Sequence, residues 1–229
     1  MLATIAREAA RRFGDRPVVD APDGVLTYAE LDGHADRLAA GLAARGIGPG
    51  HVVALVLPSG GDWVVAAVAL ARVGAVAAGV STALSAHERA ALVELVGPSL
   101  VLADVSTVDG LPLRGDVAVL RAGGRGEELA VAGPPPSELA PDDDRPAAIC
   151  CTSGTTGRPK AALFRERQLR AVQAIDLGPD VESMWGGGSP MLASTQFAHV
   201  GMTAKLPWYL RLGATLHVMD VGVPTTHSS

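Results

Sequence analysis

Lysine is almost missing from this sequence. Lys160 and Lys205 are the only two among 229 residues, and arginine carries nearly all the positive charge. No basic block interrupts a net charge of −5, so the electrostatic footprint of a nucleic-acid binder is absent. Aromatics are scarce, with three Trp, two Tyr and three Phe, so the apolar content is mostly Ala, Val and Leu. Only two cysteines occur, and Cys150 and Cys151 are adjacent. In a strand they would face opposite sides and could not bridge, which fits a reducing, cytoplasmic setting. The amphipathic N-terminus "MLATIAREAARRFGDRP" carries no apolar h-region, so no signal peptide is read. There is no clean membrane span either. Trp63 to Val80 comes nearest, but Arg72 and Gly74 break it. A central Arg costs about 2.5–3.5 kcal/mol on insertion scales. The segment reads instead as a buried helix stopped at Gly74, then a buried strand. No internal repeat is present.

What is there points to a globular α/β chain. Apolar residues make up 48% of it, and the length suits one large domain or two small ones. Thr27 and Glu30 have capping-box spacing ahead of a helix whose Leu31, Ala35, Leu38 and Leu42 share one face, with Gly46 as the stop. "HVVALVLP", "AVAAGV", "SLVLAD" and "VAVLR" read as strands. Helices lie between the first three, one from Gly61 to Gly74 and one opening on a second capping box, Ser85 and Glu88. Strands separated by helices predict parallel pairing in a layered, mostly parallel sheet with flanking helices. The expected organisation is an α/β subdomain over 1–121 and a Gly/Pro/acid-rich surface connection over 122–146. A loop-bearing region follows over 147–220, then an unpatterned tail over 221–229. Asp142, Asp143 and Asp144 could bind a metal, but a solvated turn is the simpler reading, since no other ligand cluster lies near in sequence. Further along, a helix is expected from Arg165 to Ile175 and a strand in "SPMLAST". "MTAKLPWYLRLG" reads as a helix containing Pro207, and "ATLHVMD" as a last strand.

The segment "ICCTSGTTGRPKAAL", Ile149 to Leu163, stands out because it holds one of the two lysines in a glycine-hydroxyl loop between two strand-like runs. It is not a Walker A loop, because Pro159 precedes Lys160 and Ala161 follows it. "GIGPG" is not a dinucleotide fingerprint, because it follows a helix and lacks the spacing. The chemistry is still that of a phosphate cradle. Gly154 and Gly157 allow close backbone approach, Thr152, Ser153, Thr155 and Thr156 offer hydroxyls, and Lys160 adds a point charge. On residue types and spacing alone, an ordinary Ser/Thr/Gly turn fits equally well.

"TSGTTGRPK" closely resembles the signature phosphate loop of the adenylate-forming enzymes, the superfamily of acyl-CoA synthetases, peptide-synthetase adenylation domains and luciferases. The run from "LTYAEL" to "VAAGVS" is similar to that family's N-terminal region. "FAHVGM", Phe197 to Met202, resembles its later aromatic-histidine motif, and "RLGATLHVMD" its following strand. The resemblance spans about Ala6 to Asp220 and implies the N-terminal part of the family's large domain. It implies an acid–CoA ligase. A fatty or other organic acid would attack the α-phosphate of Mg-ATP, giving an acyl-adenylate and pyrophosphate, and coenzyme A would then take the acyl group. By the same resemblance, Thr152, Ser153, Gly154, Thr155, Thr156, Gly157, Pro159 and Lys160 would embrace the β- and γ-phosphates, with Thr152 touching the Mg2+ shell. His199 would act beside the carboxylate and α-phosphate, and Phe197, Val200 and Gly201 would line the acyl tunnel.

The sequence departs from the family pattern at Ala161, where glycine is usual, at Cys151, where an aromatic is usual, and at His51-Val52, where Asp-Arg is usual. It also contains no Tyr-Gly-x-Thr-Glu segment and no later lysine-bearing domain. The resemblance therefore implies a truncated chain that is inactive alone and completed by a complementing C-terminal chain. The alternative is a catalytically silent fragment that binds nucleotide or a partner. Strand faces near Leu192 and Leu216 are expected to lack cover, leaving the chain poorly soluble or only marginally folded unless a partner chain completes it.

Overall fold

A computed structural model of the chain describes residues 1–111, 116–152, 160–178, 180 and 183–219. Along it run α1 (Leu2–Phe13), β1 (Pro17–Ala21), β2 (Gly24–Thr27), α2 (Tyr28–Ala44), β3 (Val52–Val56), α3 (Gly61–Val73), β4 (Val76–Gly79) and α4 (Ala86–Val96). They are followed by β5 (Leu100–Asp104), β6 (Asp116–Leu120), β7 (Pro146–Thr152), β8 (Lys160–Arg165), α5 (Glu166–Leu177), β9 (Met191–Ala193), α6 (Val200–Leu212) and β10 (Leu216–Val218). Both capping boxes form. The Thr27 hydroxyl accepts the Glu30 amide at 3.2 Å while the Glu30 carboxylate accepts the Thr27 amide at 2.8 Å. Ser85 and Glu88 do the same for α4. Each box satisfies donors that a helix start otherwise leaves free.

The strands form two sheets. The six-stranded sheet has the order β6-β5-β3-β4-β7-β8 and is parallel except for β8, which runs antiparallel to β7. The four-stranded sheet has the order β2-β1-β10-β9, with only β2 antiparallel. β3 and β5 are buried on both faces, which is why they read as unbroken apolar runs. Val53, Leu55, Leu100 and Leu102 enter an inner core with α1, α2, α3, α6 and the smaller sheet. Ala54, Val56, Val101 and Ala103 enter an outer one with Leu92 and Val93 of α4. Arg72, the residue that interrupts the long apolar run, is buried among α1, α2 and α3. It bonds Asp32 and lies 2.7 Å from Asp36 Oδ1, which also pairs with Arg7 at 3.0 Å. No helix among the described residues is long and apolar enough to cross a membrane.

Three expectations change. The stretches 1–121 and 147–220 do not form separate bodies, because β7 pairs with β4 and β10 with β1, so each sheet draws strands from both. The connection 122–146 is not wholly superficial. It packs on α2 so closely that a Cβ on Gly41 would lie 1.7 Å from the Leu129 carbonyl oxygen. Within it Arg125, at φ 54, is buried on Asp62, to which it donates at 2.8 Å from its backbone and 3.0 Å from its guanidinium. Burial pushes the Asp62 carboxyl up, against the pull of Arg125. Third, Leu216 is covered, at 1% exposure, because α1 and α6 close over β10, whereas Leu192 is 60% exposed. Asp143 and Asp144 pair with Arg170 and Arg167 of α5, and no group of three or more His, Cys, Asp or Glu among the described residues could hold a metal.

Candidate functional site

In layered α/β sheets, ligands collect beyond the carboxyl ends of strands, where neighbouring connections leave on opposite faces. Here β3 is followed by α3 in the inner core and β4 by α4 on the outer face, so that point lies between β3 and β4. β7 runs parallel to β4 in the register Ala77↔Ala148 to Gly79↔Cys150, and so delivers the phosphate-loop sequence at the same edge. The hairpin closes with Cys151 opposite Ala161 and Thr152 opposite Lys160. Ala161 therefore lies in an extended ladder. Among described non-glycine residues only Arg125 has a positive φ, so Ala161 carries no left-handed strain. Lys160 is exposed at the start of β8. Ser153, Gly154, Thr155, Thr156, Gly157 and Pro159 lie outside the described residues, as does the Thr152 side chain.

The segment Gln196–His199 is laid across the same edge. The Phe197 amide donates to Ser59 Oγ at 3.0 Å, and Ser81 Oγ donates to Gln196 Oε1. A Cβ on Gly79 would fall 2.8 Å from Ala198 Cα and 2.9 Å from its carbonyl oxygen, so this crossing requires glycine. His199 is the exposed N-cap of α6, and its Nδ1 accepts the Gly201 amide at 3.1 Å. Beneath it opens a cleft of about 680 Å³ lined by Gly79, Ser81, Leu84, His87, Cys151, Gln196, Ala198 and His199, among others. Burial pushes the Cys150 thiol up to about 11 and raises that of Cys151, so both stay protonated at neutral pH and neither is an activated nucleophile.

The expected pocket residues separate. His199 lines the cleft. Phe197 does not, because its ring is fully buried edge-on against Trp63, with centroids 5.6 Å apart. Val200 and Gly201 are not part of its lining either, since both lie in the first turn of α6. Besides His199, the wall of this cleft includes Gln196, Ala198, Gly79, Ser81 and Cys151. Ser59 and Ser81 could have been found from sequence as hydroxyls just past the carboxyl ends of two parallel strands.

Residues 6–228 match the sequence model of the AMP-binding enzymes. The chain belongs to that adenylate-forming family. It is 33% identical over 184 residues to the medium/long-chain-fatty-acid–CoA ligase FadD6 of Mycobacterium tuberculosis, a match covering 75% of this chain and 30% of that one. It is 37% identical over 183 residues to the salicyl-AMP ligase / salicyl-S-ArCP synthetase of the same organism, covering 69% and 32%. The AMPPNP-bound form of the nonribosomal peptide synthetase FmoA3 superposes with a TM-score of 0.77 at 26% identity, over 95% of this chain and 22% of that one. The AMP-binding chain thus spans about a third of the length of these two curated relatives.

Proposed function

We propose that this AMP-binding chain serves ATP-dependent activation of a carboxylic acid, fatty or otherwise organic, followed by thioester formation with coenzyme A. The observation that carries the reading is the "TSGTTGRPK" sequence, rooted by the β7–β8 ladder beside the His199 cleft. In the first step the acid carboxylate attacks the α-phosphate. A carboxyl O–P bond forms, the bond to pyrophosphate breaks, and an acyl-adenylate results. Loop amides, hydroxyls and Lys160 would hold the β- and γ-phosphates and stabilise the leaving pyrophosphate. His199 would stand at the carboxylate. In the second step a thiol takes the acyl group and AMP leaves. Mg2+ favours hard oxygen ligands, so for an ion carried on the phosphates the Thr152 hydroxyl would be the protein's oxygen. The ion would supply charge neutralisation there. The resemblance to a CoA ligase supports coenzyme A as the thiol, and the salicyl-S-ArCP synthetase supplies the alternative kind of acceptor. The two free cysteines accord with a cytoplasmic location.

Because the 229 residues contain no Tyr-Gly-x-Thr-Glu segment, the reading includes that they do not complete the reaction by themselves. Acid-dependent ATP–pyrophosphate exchange tests this. The expected result is no exchange with these residues alone and exchange once a complementing C-terminal chain is supplied. Exchange that never appears, together with retained nucleotide binding, would favour the second reading, a silent nucleotide- or partner-binding fragment. Acid-independent phosphate release would overturn both.

A further inference from the structure

We propose that Ser59, Ser81 and Gly201 are positioning residues that present His199 to the cleft as a neutral Nε2–H donor. The inference rests on the reading of the cleft as the acid site, but its geometry stands by itself. Four constraints converge on four consecutive residues. Ser59 Oγ, just past β3, accepts the Phe197 amide at 3.0 Å. Ser81 Oγ, just past β4, accepts the Ala83 amide at 3.3 Å and donates to Gln196 Oε1, so both of its roles are used. Gly79 lets Ala198 approach to backbone contact. The Gly201 amide then donates to His199 Nδ1 at 3.1 Å.

The consequence is chemical. A ring nitrogen that accepts a hydrogen bond carries no proton, so in the neutral imidazole the proton sits on the other nitrogen. Nδ1 is committed to capping α6. Nε2 must therefore be the N–H, and His199 lines the cleft. A histidine held this way donates to a carboxylate or phosphate oxygen. It cannot act as a general base without giving up either the cap or its tautomer. The hydroxyls of Ser59 and Ser81 act only through it, by fixing the backbone from which the cap is thrown.

The experiment is long-range 1H–15N correlation of the imidazoles in the full chain, without ligand, at a pH where the ring is neutral. His199 is assigned by its loss in His199→Asn. The expected result is a single Nε2–H tautomer in the unaltered protein and an averaged tautomer pattern in Ser59→Ala/Ser81→Ala. Keeping a hydroxyl at position 81, in Ser59→Ala/Ser81→Thr, should restore the single form that Ser59→Ala/Ser81→Ala loses. A Nδ1–H pattern, or no change in the double variant, overturns the proposal. Asn is itself a strong N-cap, so His199→Asn should leave the melting temperature nearly unchanged. It should nevertheless weaken binding of an acyl-sulfamoyl adenosine probe by about 10-fold or more, the effect of one hydrogen bond to a charged group. Unweakened binding overturns the donor role. Failure of the unaltered protein to bind the probe counts against the acid-site reading alone, because the tautomer is read without it.

Discussion

At the scale of single residues, the site depends on what is small and on what is satisfied. Gly79→Ala forces a methyl group against Ala198 backbone, which has no flexible end to yield. Overpacking of that kind costs about 1–3 kcal/mol. Chemical denaturation should show that loss, and adenylate-probe binding should fall with it as Gln196–His199 is displaced. Arg72 makes the complementary case. Its side chain is 3% exposed and serves both carboxylates and the Asp32 carbonyl, at 2.7 Å. Arg72→Met leaves Asp32 without its guanidinium and Asp36 with Arg7 alone; breaking a buried pair costs about 3–5 kcal/mol, toward the lower end because both carboxylates keep some contact with water. Arg72→Lys should recover little of it, since a point charge cannot reproduce the guanidinium fork. Equal urea midpoints for Lys and Arg at this position would contradict that assignment.

At the scale of elements, the helix starts carry a pH signature. Hydrogen bonds from Ser85 hold the Glu88 carboxyl below its ordinary 4.5, and those from Thr27 do the same for Glu30. A folded-state value below the unfolded one contributes stability that is present above about pH 4.5. That contribution disappears as pH falls through the lowered value. Thermal melts of the unaltered protein and of Glu88→Gln should therefore differ at pH 7 and converge in acid. A difference that persists below pH 3 would mean the box works through something other than the carboxylate. Asp62 has the opposite sign. Burial raises its folded value, so its contribution is present at low pH and is lost as pH rises through that value.

At the scale of the whole molecule, the interleaving of the chain matters most. β10 lies between β1 and β9, and Tyr28 of α2 donates to the Ala214 carbonyl at 2.8 Å, so early and late segments complete one another. A protease site inserted at the exposed residues 132–135 should yield two fragments that co-elute in native gel filtration and separate only in denaturant. Fragments that part without denaturant would contradict a shared core. Outside that core, Leu192 and Met219 are 60% and 61% exposed. Exchanging them for Thr and Gln should raise the concentration at which the chain precipitates. The melting temperature should stay close to its original value, as surface changes of this kind shift stability by about 0.5 kcal/mol or less.

The sequence by itself determined the family, the class of fold and most elements after Thr27, whereas α1, β1 and β2 were not read from it. Those features rest on short-range physics: capping boxes, helical period, glycine stops and a nine-residue loop whose pattern is specific. It also placed the phosphate-loop sequence between two strands, β7 and β8. Only the tertiary structure decided what meets across the chain. It buried Phe197 on Trp63 and turned Gly201 toward His199. It brought Ser59 and Ser81 to one segment more than a hundred residues away, and drew both sheets from both halves. Strand pairing, burial and the partner of a side chain are long-range quantities. They depend on which surfaces the packed layers bring into contact, and no local pattern carries that information.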